Sequence, residues 1–318
     1  MISSRKKKYI PAIGIPALLI FLSILPFFVT DYIVSLLLDI LTWVALTESW
    51  IILSGFTGYI SLGHSAFFGI GAYVMAISWM SLPYPLIILI SATSSMALAF
   101  AIGFPVLRVR GPYFVILTLG LSEFAKYIFI NYEVNVKGTV GRILLGVPPI
   151  KTLYFSLLVI AFFTILCAYL IQRSRFGYGL FSIREDEDAA ESLGIDTGIF
   201  KWLAFGISAF FPGAVGSVMA LRRTYIDPYS VFDPIVSFQI IVMAFLGGMG
   251  KLHGPVLGAC ILTLISEFLW ARYPHYYMII LGVVLVVIVK YLPSGILEIV
   301  GKLETAIRFL RTRMGCIF

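Results

Sequence analysis

The chain has 318 residues, 60% apolar and only 12% charged, with 23 Lys and Arg against 16 Asp and Glu for a net charge of +7. Water-soluble domains run at about 45–50% apolar and 25% charged, so a soluble enzyme is excluded. Ser49 to Leu107 is a 59-residue stretch without a single charge, whereas one bilayer-spanning helix needs about 20 residues, and the lack of apolar–polar alternation excludes an outer-membrane barrel.

The expected fold is therefore an all-α membrane protein, a polytopic helical bundle. Its first basic cluster, Arg5-Lys6-Lys7-Lys8, precedes an uncharged run of 22 residues from Tyr9 to Thr30. That run exceeds the 7–15-residue core of a signal peptide, and no A-x-A site follows it. It reads as a retained first span. Further apolar segments follow at about 33–53, 62–80, 85–107, 112–131, 152–172, 202–221, 236–250, 254–271 and 275–292. The stretch 236–271 has two readings, one long tilted helix or two short spans meeting at Gly247–Gly254. Charge bias chooses between them, because cytoplasmic loops are enriched in Lys and Arg. Two spans give about ten transmembrane helices with both termini on one side. That side then holds 16 basic residues, among them Arg108, Arg110, Arg173, Arg175, Arg184, Lys201 and Lys251, against six on the other. Both termini are thus expected in the cytoplasm, with the chain in the plasma (inner) membrane. Residues 1–318 form a single transmembrane domain with a polar cytoplasmic segment at 173–201 and a basic tail at 293–318.

Two glycine-rich segments repeat at an offset of 189 residues. Gly58 matches Gly247, Ser61 matches Gly250, His64 matches His253, Ser65 matches Gly254, and Gly69 matches Gly258. Small residues at i, i+4 and i+8 form a flat stripe that lets helix backbones approach inside a membrane. Glycine-interrupted helices in repeated halves also mark transporter substrate sites. Packing seam and pathway lining both fit this weak internal repeat. The two histidines read as hydrogen-bonded polar residues near a span end, since no carboxylate or Cys lies at metal-ligand spacing. Cys167, Cys260 and Cys316 show neither disulfide nor metal spacing.

Four ionisable residues, Asp39, Glu48, Glu123 and Lys126, fall in or near apolar spans, where charge is costly. Glu123 and Lys126 are three apart on one helical face and can neutralise each other. Asp39 and Glu48 are nine apart and have no partner that spacing identifies.

The polar segment reads as a helix over 182–194, with Ser182 and Glu185 as a capping box and Gly194 at the C-terminal glycine position. At 100° per residue, Ile183, Ala190 and Leu193 share a narrow apolar stripe, and Glu185, Asp188 and Glu191 project opposite. Such a helix is either a solvated surface element or a docking element for a soluble partner.

The run Ile183-Arg184-Glu185-Asp186-Glu187-Asp188-Ala189-Ala190-Glu191-Ser192-Leu193-Gly194 resembles the coupling segment of ABC-importer permeases, whose signature is Glu-Ala-Ala-x-x-x-Gly, with Asp188 in place of the first Glu. The blocks Leu53–Gly58 with Gly63–Tyr73, and Leu246–Gly250 with His253–Ala259, are similar to the two glycine-rich blocks of the branched-chain amino-acid permease family. The resemblance covers about residues 35–295. It implies a membrane subunit carrying amino acids, branched-chain ones first, with urea, amides or other amino acids as alternatives. It also implies a homologous second permease, two cytoplasmic ATPase subunits that bind ATP and Mg, and an external solute-binding protein. No nucleic acid is expected as a partner. The sequence agrees in having no phosphate-cradling G-x-x-x-x-G-K-[ST] loop: Gly250-Lys251 and Gly301-Lys302 are each followed by Leu. The chain is not expected to be an enzyme or to bind a cofactor itself. An ion-coupled secondary transporter is the competing class.

Overall fold

The computed structural model describes residues 19–248 and 253–273, with isolated positions 276, 279, 280, 282, 283 and 286 beyond. After a 3₁₀ turn at Leu25–Phe27 comes α1 (Asp31–Trp50), which continues as a π-helical turn over Ile51–Gly55. A non-helical break follows before α2 (His64–Ser78), then α3 (Tyr84–Val106) and α4 (Pro112–Lys137). A two-residue strand β1 (Arg142–Ile143) leads to α5 (Ile150–Gln172), and two short helices follow, α6 (Arg175–Glu185) and α7 (Glu187–Ser192). The chain then crosses in α8 (Thr197–Arg223), pairs β2 (Tyr225–Ile226) antiparallel with β1, and ends its described course in α9 (Pro228–Val231), α10 (Pro234–Gly247) and α11 (His253–Arg272). Pro112, Pro228 and Pro234 open their helices, where a missing N–H leaves no bond unmade.

Among the described residues, seven helical stretches are long and apolar enough to cross a bilayer. This is a multi-pass α-helical membrane protein. The expected segment 236–271 is two helices, not one. Gly248 sits between them with φ +98°, a conformation open to glycine. The expected span at 62–80 is only the 15-residue α2, about 22 Å long at 1.5 Å per residue, short of the ~30 Å hydrocarbon core. The expected spans at 9–30 and 275–292 fall largely outside the described residues, as does the tail at 293–318.

α8 is the axis of the bundle. Of its most apolar 18 residues 83% are buried, against 22% for α4, although mean hydropathy is nearly equal at 1.7 and 1.5. α2 and α3 pack closest on α8. Small residues permit this: a Cβ on Gly71 would overlap the Gly213 carbonyl, and one on Gly216 would overlap the Phe68 carbonyl. At one end of the bundle the β1–β2 ribbon is fastened by Glu133. Its buried carboxylate accepts from Arg142 Nε at 2.9 Å, Gly141 N at 2.7 Å and Tyr73 OH at 3.2 Å.

Candidate functional site

At the other end, the α6–α7 pair meets the break that follows α1. Ser174 starts α6 by accepting from Gly177 N at 3.1 Å. That places Ser182 inside the helix, where its hydroxyl donates to the Tyr178 carbonyl. The expected capping box is therefore absent. The expected single helix over 182–194 is also two: Asp186 is extended (φ −160°, ψ 111°) and its carboxylate caps α7 by accepting from Ala189 N at 3.0 Å. Aspartate competes for nearby backbone donors, so it breaks one helix and starts the next. Gly194 closes α7 with φ +87°, donating to the Glu191 carbonyl, while Ile195 N reaches the Ala190 carbonyl.

Ile183 and Ala190 are buried at 3% and 2% exposure, but Leu193 is 82% exposed. Leu193 leaves the expected stripe because α7 ends at Ser192 and Leu193 is its C-cap, past the last helical residue. Ala189 and the carboxylates of Glu185 and Glu191 face outward as well.

Glu187 turns inward. One carboxylate oxygen accepts from Lys201 Nζ at 2.6 Å and the other from the Tyr59 hydroxyl. Lys201, 5% exposed, also donates to Tyr59 OH at 3.2 Å and to the Leu107 carbonyl at 3.4 Å. Burial alone would raise the Glu187 carboxyl, but the bonds from Lys201 and Tyr59 outweigh it and hold the group below its ordinary value. Arg110 adds an outer contact, 3.5 Å to Glu187 and 2.8 Å to Asp188, at the surface. Arg184 Nη1 reaches the Gly55 carbonyl at 2.9 Å, beside Gly58 with its φ of +78°. Lys201, Tyr59 and Arg110 were not among the residues the sequence singled out for a site. The available signal was Lys201 itself, a lone cation at the start of an apolar span.

The first glycine-rich block sits in the same neighbourhood. Ser61 accepts at its carbonyl from Trp50 Nε1 (2.8 Å), and its N–H donates to Ser54 Oγ. Leu62 N donates to Thr118 Oγ1, while Ser65 bonds Ser122 through its hydroxyl (2.9 Å) and Ser237 through its N–H (3.0 Å). His64 opens α2, fully buried, with neither ring nitrogen at hydrogen-bond geometry to a partner among the described residues. Its ring lies edge-on to Phe67 and beside the Ser49 backbone. His253 likewise opens a helix but is exposed. A Cβ on Gly69 would strike the Phe232 ring, one on Gly254 the Gly248 carbonyl, and one on Gly258 the Met243 carbonyl; Gly247 abuts Gly254. Gly250 lies outside the described residues.

Of the ionisable groups in spans, Glu123 pairs with Lys126 at 2.6 Å on α4 and is 37% exposed. Asp39, left without a partner by spacing, pairs with Arg222 from the far end of α8, which also bonds Ser35. Glu48 is fully buried with neither carboxylate oxygen hydrogen-bonded among the described residues.

The bundle of membrane-crossing helices, knitted by glycine seams and carrying a helix pair tied to an interrupted helix, is a multi-pass membrane protein with an element gripped outside its spans. Residues 32–289 match the family described as branched-chain amino acid transport system, permease component, and the chain belongs to that family. It is 29% identical to the high-affinity branched-chain amino acid transport system permease protein LivM of Escherichia coli, over 88% of this chain and 73% of that protein. LivM of Salmonella typhimurium gives the same figures. A probable branched-chain amino acid transport permease protein LivH of Methanocaldococcus jannaschii is 27% identical over 70% of this chain and 65% of its own. No solved structure matches the chain.

Proposed function

We propose that this chain is the permease subunit of an ATP-driven importer of branched-chain amino acids, with α6–α7 as its cytoplasmic coupling element. The observation that carries the reading is Leu193. It stands 82% exposed beside the acidic edge of α7, whereas Ile183 and Ala190 on the same helix pair are buried against the bundle, so the pair has one face seated and one face, apolar tip and acids together, turned away from the membrane part. Ile183 and Ala190 seat the pair on the bundle; Leu193 and the acidic edge at Glu185, Asp188 and Glu191 meet the ATPase. The assembly is completed by a second homologous permease, two ATPase subunits that hold ATP and Mg, and an external solute-binding protein. The chain crosses the plasma membrane about ten times with both termini in the cytoplasm. Glu123 lies on α4, the least buried of the described spans, and an ion pair within that apolar helix supports a protein or water pathway beside α4 instead of lipid.

The test is reconstitution of the chain in vesicles with its co-encoded ATPases and binding protein, following labelled leucine, isoleucine and valine. Uptake that needs both ATP and the binding protein is expected. Uptake of amides, urea or other amino acids alone would overturn the substrate, and uptake driven by an ion gradient without ATP would overturn the class.

A further inference from the structure

We propose that Glu187 is a positioning residue that carries movement of α7 into the helix break at residues 51–63, acting through Tyr59 and braced by Lys201. The inference rests on the reading of α6–α7 as the ATPase-facing element, and names the contact by which that element grips the membrane part.

The grip has two points on one short segment. Arg184 holds the Gly55 carbonyl, which belongs to the last turn of the π-helical stretch and lacks the intrahelical partner an interior carbonyl has. Glu187 holds the hydroxyl of Tyr59, four residues on. Between them lies Gly58, whose positive φ marks the turn. π-helical turns inside longer helices are frequent at functional sites. Beyond Tyr59 the segment is fastened to the spans: Ser61 to Trp50, Leu62 to Thr118, Ser65 to Ser122 and Ser237. A displacement of α7 therefore pulls on 55–59, and 55–59 is continuous with contacts to α1, α4 and α10.

Lys201 supplies the fixed end. It stands near the start of the central helix α8, bonded to the Leu107 carbonyl as well as to Tyr59 and Glu187. A buried ammonium needs a counter-charge, and the Glu187 carboxylate supplies it while giving one oxygen to Lys201 and the other to Tyr59. The neighbouring acids do not compete for this role. Asp188 and Arg110 are surface groups, 79% and 53% exposed, and such pairs contribute little. Glu185 and Glu191 are exposed.

The experiment compares Glu187→Gln, Tyr59→Phe and the exposed control Glu185→Gln in the complete reconstituted importer, reading amino acids taken up per ATP hydrolysed. Glu187→Gln should lower that ratio about tenfold, the scale of one charge-assisted hydrogen bond, with the substrate KM unchanged. Tyr59→Phe, which removes one oxygen and no charge, should lower it in the same direction. The exchange Glu187→Lys with Lys201→Glu should restore it, which loss of folding could not do. In the isolated chain, deuterium exchange over 55–63 should quicken in Glu187→Gln and not in Glu185→Gln. Wild-type coupling in both Glu187→Gln and Tyr59→Phe overturns the proposal, as does unchanged exchange over 55–63. Absence of any ATP-dependent uptake by the wild-type assembly would instead sink the importer reading, and the exchange measurement would still decide the grip.

Discussion

A lysine at the end of a membrane helix leaves water only if its charge is met, and Lys201 is met by Glu187 at 2.6 Å. Because the folded pKa of Glu187 is depressed, the stability it contributes is present above the ordinary carboxylate value and lost as pH falls through the lowered one. Seating of α7, read as protection of 182–196 from pulsed proteolysis, should thus be constant from pH 8 to about 5 and weaken only below roughly 4. Weakening already between pH 7 and 6 would assign the seating to another group. Gly194 makes a separate demand. Its φ is +87° and nothing stands within 4 Å of a Cβ there, so Gly194→Val should cost the backbone term alone, roughly 1–2 kcal/mol. Gly194→Asn should recover much of it, which steric exclusion would not allow. Protease sensitivity at 193–195 reports both.

At the scale of elements, α7 has two sides with different jobs. Ala190→Trp should lift α7 from the bundle, since the site is 2% exposed, and speed its cleavage. Leu193→Asp should leave cleavage of the free chain unchanged and weaken binding of the ATPase subunits in co-purification. Glu191→Gln should change either by no more than about 0.5 kcal/mol. If Leu193→Asp binds the ATPases at wild-type level, the exposed leucine is not the docking knob. The seams between spans make a matching contrast. Gly71→Val and Gly254→Leu drive a side chain into backbone, and overpacking of this kind costs about 1–3 kcal/mol. Gly120 lies on open α4 surface with nothing within 4 Å, so Gly120→Val should leave thermal unfolding in detergent within a degree or two of wild type, provided no partner subunit is present.

For the whole molecule, α8 fixes the sides. Its 27 residues span about 40 Å at 1.5 Å per residue, enough to cross the bilayer once. In a background lacking Cys167, Cys260 and Cys316, a cysteine at Ser192 should be labelled from the cytoplasm only, and one at Tyr225 from outside only. Labelling of both from one side would overturn the crossing of α8 and the ten-span topology with it.

Hydropathy alone determined the membrane class and most helix positions, because every backbone polar group in hydrocarbon must be satisfied within its own helix. Residue spacing also marked Gly194 and the pairing of Glu123 with Lys126, since such local geometry needs no distant partner. Which helix is central was not legible: lipid and protein interior are equally apolar, so α8 and α4 read alike and only packing separates them. Angular arithmetic placed Leu193 with Ile183 and Ala190 because it carried the helix through to residue 194, whereas α7 ends at Ser192 and leaves Leu193 as its cap. Glu187, finally, looked like one acid among five. Tertiary structure alone brought Tyr59, 128 residues before it, to its carboxylate and Lys201 beneath it, because a charge becomes costly, and so selective about its partner, only where the fold removes water.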